Sequence, residues 1–184
     1  RPISRHPLDV GSLMPYEFAV IWIRHPLARL LSCYQYFIGG GLNQRGTRFF
    51  PADADVQSYL KKIAPTFSDC CQNLLEVSRK IPHFRPAVDI LDSLPNPSAT
   101  LSFVGRQERF NSDIREFYKL IGANSDHVKT EHRNYSVGAH FGVWDSVSRQ
   151  AAEEFYVHDF KRFGYSNFLD SSSGFVQYWD VLPP

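Results

Sequence analysis

The apolar and polar positions of the chain fall into short blocks of different spacing, and the most ordered block is FAVIWIRHPLARLLSCYQYF, residues 18–37. Its first six residues, Phe18 to Ile23, are uninterruptedly apolar and mostly β-branched or aromatic, which predicts a strand buried on both faces. The run stops at Arg24, and Pro26 stands where a first helical turn has no use for a backbone N–H. Leu27, Leu30, Leu31, Tyr34 and Ile38 then recur at helical spacing and predict one apolar face, with Arg29, Ser32 and Tyr36 elsewhere. An arginine therefore stands at the carboxyl end of a strand, with a serine further along the next helix. Open α/β sheets bind ligands at that edge, and an anion is the natural ligand for an arginine there.

The rest of the pattern alternates helices with one more strand. Residues 1–15 are broken by Pro2, Pro7, Gly11 and Pro15 and carry His6. Gly39-Gly40-Gly41 ends the first helix, and residues 42–51 form a loop. No Gly-Lys-Ser/Thr follows the triple glycine, so it reads as a helix stop rather than a phosphate cradle. Helical spacing returns over residues 55–63; a helix capped by Ser68 or Asp69 runs to about Lys80; residues 87–94 make another. After the Pro95-Asn96-Pro97 turn, Thr100 to Val104 reads as a second buried strand, closed by Gly105-Arg106. A helix from Glu108 or Asn111 to Ile121 presents Ile114, Phe117, Tyr118 and Ile121, and Gly122 stops it. A polar connection leads to the last helix, residues 146–162, capped by Gly164. Strands followed by helices predict a helix-rich α/β protein, a partial parallel sheet flanked by helices. Residues 1–169 form one domain and residues 170–184 an aromatic, serine-rich tail.

Composition narrows the function classes. A net charge of +1 argues against a general polyanion binder and so against nucleic acid, but leaves room for a local basic pocket. Two strand ends, Arg24 and Arg106, deliver an arginine whose forked donors suit phosphate or sulfate. Each could instead simply pair with an acidic neighbour. Cys33, Cys70 and Cys71 form no Cys-x-x-Cys and read as reduced, mostly buried thiols. They favour a reducing, cytoplasmic compartment, with the Golgi lumen open if an upstream anchor has been removed. No run approaches the ~20 apolar residues of a membrane span. His127, His132 and His140 lack the short spacing of a zinc site, so no metal is expected.

Taken together, three stretches resemble one family. VIWIRHPLARLLSCY, residues 20–34, is similar to the 3′-phosphate-binding segment of sulfotransferases that use 3′-phosphoadenosine 5′-phosphosulfate (PAPS): strand, Arg-Asp-Pro, two residues, Arg, two residues, Ser, one residue, Tyr. FVGRQERF, residues 103–110, resembles the family's Val-Gly-x-x-Glu strand end. FYVHDFKRFGY, residues 155–165, resembles its closing helix, Asp-Phe-x-x-Phe-Gly-Tyr. The likeness is greatest to the branch of carbohydrate and bacterial sulfotransferases.

The resemblance implies a P-loop-NTPase-like fold and sulfuryl transfer from PAPS to a small-molecule or glycan acceptor hydroxyl, leaving adenosine 3′,5′-bisphosphate without a metal. It assigns Arg24 and Ser32 to the 3′-phosphate, Arg133 to a second contact with it, and Arg29 to steadying the helix. His6, 18 residues before Arg24, becomes the general base, a role suited to an imidazole. Two departures stand out. His25 replaces the family's aspartate, removing a carboxylate that organises the segment. The loop holding the 5′-phosphosulfate, expected tens of residues upstream, precedes the first residue given, so the domain is expected to lack that portion. The alternatives are a non-catalytic binding module on the same scaffold, or another nucleotide-dependent transferase of the superfamily.

Overall fold

The computed structural model describes residues 19–39, 51–93, 101–124 and 144–166. Strands β1 (Ala19–Ile23) and β2 (Leu101–Arg106) pair in parallel, with Val20 opposite Phe103, Ile21 opposite Val104, Trp22 opposite Gly105 and Ile23 opposite Arg106. Parallel pairing requires a long crossover. The intervening chain supplies one from helices α1 (Pro26–Ile38), α2 (Pro51–Ile63), α3 (Phe67–Gln72), α4 (Leu74–Lys80) and α5 (Ala87–Asp92). After β2 come α6 (Phe110–Leu120), α7 (Ser146–Phe155) and α8 (Val157–Phe163). The protein is α/β and helix-rich, with a small parallel sheet, as the pattern predicts.

Alternation along the strands sends successive side chains to opposite faces. Trp22 packs on Phe110 at 4.7 Å between ring centroids, and Phe103 on Phe117 of α6 at 5.4 Å. On the other face Ile23 is buried with Val88 and Leu91 of α5 and Phe163 of α8. Gly105 directly opposes Trp22, and a Cβ there would overlap the indole. Burial on both faces, however, is not what the strands show: Val20 and Val104 are each 38% exposed. Val20 and Val104 lie on opposite faces, so helices leave part of each face open among the described residues.

The larger core lies on α1. Leu27, Leu30, Leu31, Tyr34 and Phe37 are buried along one stripe and pack with Leu60, Phe67, Cys70, Leu74, Phe84 and Tyr156. Each such side chain contributes about 1.5–3 kcal/mol by leaving water. Burial pushes the Cys70 thiol up to about 12, and Cys33, Cys70 and Cys71 are all free. No helix among the described residues is long and apolar enough to cross a membrane.

Two predicted helices are each divided in two. The α3 cap is Thr66, not Ser68 or Asp69: its hydroxyl accepts the Asp69 N–H at 3.1 Å while the Asp69 carboxylate accepts the Thr66 N–H at 3.0 Å. Asn73 then interrupts the run, leaving the helical region at φ −103° and ψ 18°, while its backbone N–H and its side-chain amide both donate to the Asp69 carbonyl at 3.0 Å. The last helix breaks at Tyr156, which is fully buried and donates its hydroxyl to the Phe84 carbonyl at 2.7 Å. Helix α2 begins four residues earlier than expected, with Pro51 in its first turn.

Helix α6 also departs from expectation. Its predicted apolar face is only half-buried, with Ile121 just beyond it 45% exposed, and its buried residue is Asp113. That carboxylate accepts the Arg106 backbone N–H at 2.8 Å, the Ser112 hydroxyl at 3.1 Å and the Arg109 guanidinium at 3.1 Å. It therefore ties the end of β2 to the helix that follows.

Candidate anion site

The turn from β1 into α1 is set by its proline. A residue before proline is excluded from the helical region, and His25 is accordingly extended, at φ −47° and ψ 127°. Helix α1 begins directly after it, at Pro26. No side chain caps α1. Instead the His25 backbone N–H donates to Glu108 Oε1 at 2.6 Å, across 83 residues of sequence. The other oxygen, Oε2, accepts the Tyr165 hydroxyl at 3.1 Å. Glu108, the glutamate of the Val-Gly-x-x-Glu stretch, is thus a carboxylate bonded to this turn.

The His25 ring sits edge-on to Phe160 at 5.4 Å and to Tyr165 at 5.1 Å between centroids. Burial pushes its pKa down to about 4; a backbone hydrogen bond at Ser166 opposes the shift and the Arg24 cation adds to it. The imidazole is neutral at pH 7. Arg24 itself is half-buried. Burial lowers its pKa and the Glu108 charge opposes that most strongly; a guanidinium stays charged regardless. Ser32 is half-buried on the side of α1 away from the core stripe.

Arg29 and Arg106 are both held by backbone carbonyls. Arg29 donates to the Arg85 carbonyl at 2.6 Å, meets Asp159 at 3.4 Å and lies over the Tyr156 ring. Arg106, the other strand-end arginine, donates to the Phe163 carbonyl at 2.7 Å and lies 4.9 Å above the Tyr165 ring. The residue before it in β2 is paired to Trp22, so Arg106 falls on the face shared with α8.

Five residues of the closing stretch, residues 159–165, tie α8 to its surroundings or end it. Asp159 accepts the Ala87 and Val88 N–H groups of α5 at 2.8 and 2.9 Å. Phe160 walls the His25 ring, Phe163 accepts Arg106, and Gly164 ends α8 in the left-handed conformation at φ 63°. Tyr165 reaches Glu108. All three sequence stretches therefore meet at the Arg24 turn.

Of the four predicted site residues, Arg24 and Ser32 lie on one strand-turn-helix unit; His6 and Arg133 lie outside the described residues. What the sequence reading missed is the part played by Glu108 and Tyr165. The signal was there: polar atoms within otherwise aromatic, glycine-containing stretches have to find partners. Among the described residues no cluster of His, Cys, Asp or Glu is arranged to hold a metal ion.

An arginine at a strand end and a serine on the helix that follows, with the turn between them tied to Glu108, can receive a phosphate or sulfate group. Neither a curated protein nor a solved structure matches the chain. The model of the family described as "Sulfotransferase family" matches residues 10–166, most of the 184, and the chain belongs to that family, whose chemistry is sulfuryl transfer.

Proposed function

We propose that the chain transfers a sulfuryl group from PAPS to the hydroxyl of a small-molecule or glycan acceptor. The observation that carries this reading is the Arg24-His25-Pro26 turn, which presents a half-buried guanidinium at the carboxyl end of β1 with its backbone tied to Glu108. The donor set fits the 3′-phosphate of the nucleotide: a guanidinium matches its paired oxygens and the Ser32 hydroxyl adds a single donor. The parallel pairing of β1 and β2 under helices on both faces supports a P-loop-like sheet. PAPS, when bound, supplies the activated sulfuryl group and leaves as adenosine 3′,5′-bisphosphate.

The protein's own residues hold and deprotonate. Arg24 and Ser32, with Arg133 as a second basic contact, hold the 3′-phosphate. His6 takes the proton of the acceptor hydroxyl as its oxygen bonds to sulfur, and no metal takes part.

Isothermal titration of the full-length protein with adenosine 3′,5′-bisphosphate tests the reading. Arg24→Ala should weaken binding roughly tenfold to a hundredfold, the equivalent of a charge-assisted hydrogen bond of about 1.5–3 kcal/mol. His6→Ala should lower kcat and leave nucleotide affinity unchanged. A protein that ignores the nucleotide altogether would be a binding module on a sulfotransferase scaffold.

A further inference from the structure

We infer that Glu108 is the positioning residue of the Arg24 anion site, an inference that rests on reading that site as the cradle of the nucleotide 3′-phosphate. A carboxylate is electrostatically the wrong neighbour for a phosphate, and the Glu108 charge acts directly on the Arg24 guanidinium. Its place there is explained by geometry. One oxygen receives the His25 backbone N–H at 2.6 Å and the other the Tyr165 hydroxyl at 3.1 Å.

His25 is the one residue between Arg24 and the first residue of α1. Pinning its N–H fixes the peptide that joins it to Arg24, and with it the direction in which the guanidinium leaves the chain. The carboxylate is itself immobilised. Tyr165 is stacked against Arg106, whose guanidinium is tied to the Phe163 carbonyl at 2.7 Å. The short turn Gln107–Arg109 that carries Glu108 is anchored where Asp113 accepts the Arg106 N–H at 2.8 Å. Both ends of the strut are therefore held, and a group ordered in advance spends less of its binding free energy on ordering.

Reach and charge can be separated by two substitutions. Glu108→Gln keeps the length and an acceptor oxygen but loses the charge; Glu108→Asp keeps the charge but falls one methylene short. Adenosine 3′,5′-bisphosphate is titrated into the full-length wild type, both variants and Arg24→Ala, well below each melting temperature. Positioning gives Gln within about threefold of wild type and Asp at least tenfold weaker, with faster hydrogen exchange of the His25 amide in Asp alone. Wild-type affinity in the Asp variant, or tighter binding in the Gln variant, would overturn the inference while Arg24→Ala still weakened binding. A lowered melting temperature in Asp with unchanged affinity and amide exchange would overturn it too, leaving Glu108 a purely structural residue. No nucleotide binding by the wild type would instead sink the reading of the site, and this inference with it.

Discussion

Tyr165 donates its hydroxyl to Glu108 at 3.1 Å, which links the last of the described residues through that carboxylate to the turn that carries Arg24. The two residues are separated by 57 positions, and the His25 amide on the other side of Glu108 by 83. Three remote stretches thus share one carboxylate, so the anion site is a product of tertiary packing as much as of the local strand-turn-helix unit.

Ser32 should separate phosphate recognition from folding. It lies off the core stripe of α1, so Ser32→Ala should leave the unfolding midpoint close to wild type. Loss of its hydroxyl should weaken adenosine 3′,5′-bisphosphate about tenfold, the scale of one hydrogen bond to a charged group. Affinity for adenosine 5′-monophosphate, which lacks the 3′-phosphate, should not change. Equal losses for both nucleotides, measured by calorimetry, would remove Ser32 from the 3′-phosphate.

The neutral His25 ring makes stability depend on pH. Its pKa is about 4 in the folded protein, below the ordinary 6.5, so the unfolded chain takes up a proton first as pH falls. The contribution is fully present above about pH 6.5 and is lost progressively towards pH 4, at a cost of about 2 kcal/mol by pH 5. His25→Asn should flatten this part of the profile. Urea unfolding at pH 7 and pH 5 measures it, and an unchanged slope in the variant would assign the proton to another group.

Asp159 has a side chain only 2% exposed and receives two backbone N–H groups besides Arg29. Asp159→Ala leaves those donors and the Arg29 charge without their acceptor, and should cost about 3–5 kcal/mol. Asp159→Asn, which keeps one carbonyl oxygen, should cost less. Equal losses in denaturant titrations of the two variants would show that the carboxylate serves only to fill space.

Gly105 and Trp22 should prove energetically coupled. A methyl at position 105 overlaps the indole, so Gly105→Ala should destabilise by about 1–3 kcal/mol through overpacking. With Trp22→Leu in the background the same substitution should cost less. Strict additivity in a double-mutant cycle would contradict the contact.

The β1-turn-α1 unit was legible because the apolar period changes sharply at a proline: continuous through Ile23, helical from Leu27. The breaks at Asn73 and Tyr156 were not, because apolar spacing continues across both. Each break is a single residue whose backbone leaves the helical region, Asn73 at φ −103° and ψ 18° and Tyr156 at φ −96° and ψ 17°, and whose side chain bonds a carbonyl, that of Asp69 in one case and of the distant Phe84 in the other. The burial of Asp113 was equally hidden, since a carboxylate on a helix reads as solvent-facing until the Arg106 N–H is placed against it. For Arg106 an anion and an acidic neighbour both stood as alternatives. It stands at a strand end like Arg24, but its register sends it to the α8 face, where a carbonyl and a tyrosine ring receive it.

The dependence of Glu108 on Tyr165 also bears on the order in which a nascent chain acquires its site. The strand and helix bearing Arg24 leave the ribosome long before the hydroxyl that fixes their carboxylate, and domains fold as units once their parts are available. During synthesis, then, a chain ending at Phe163 would carry Arg24 and Glu108 yet lack the hydroxyl that the carboxylate accepts, so the site can be completed only once Tyr165 has emerged.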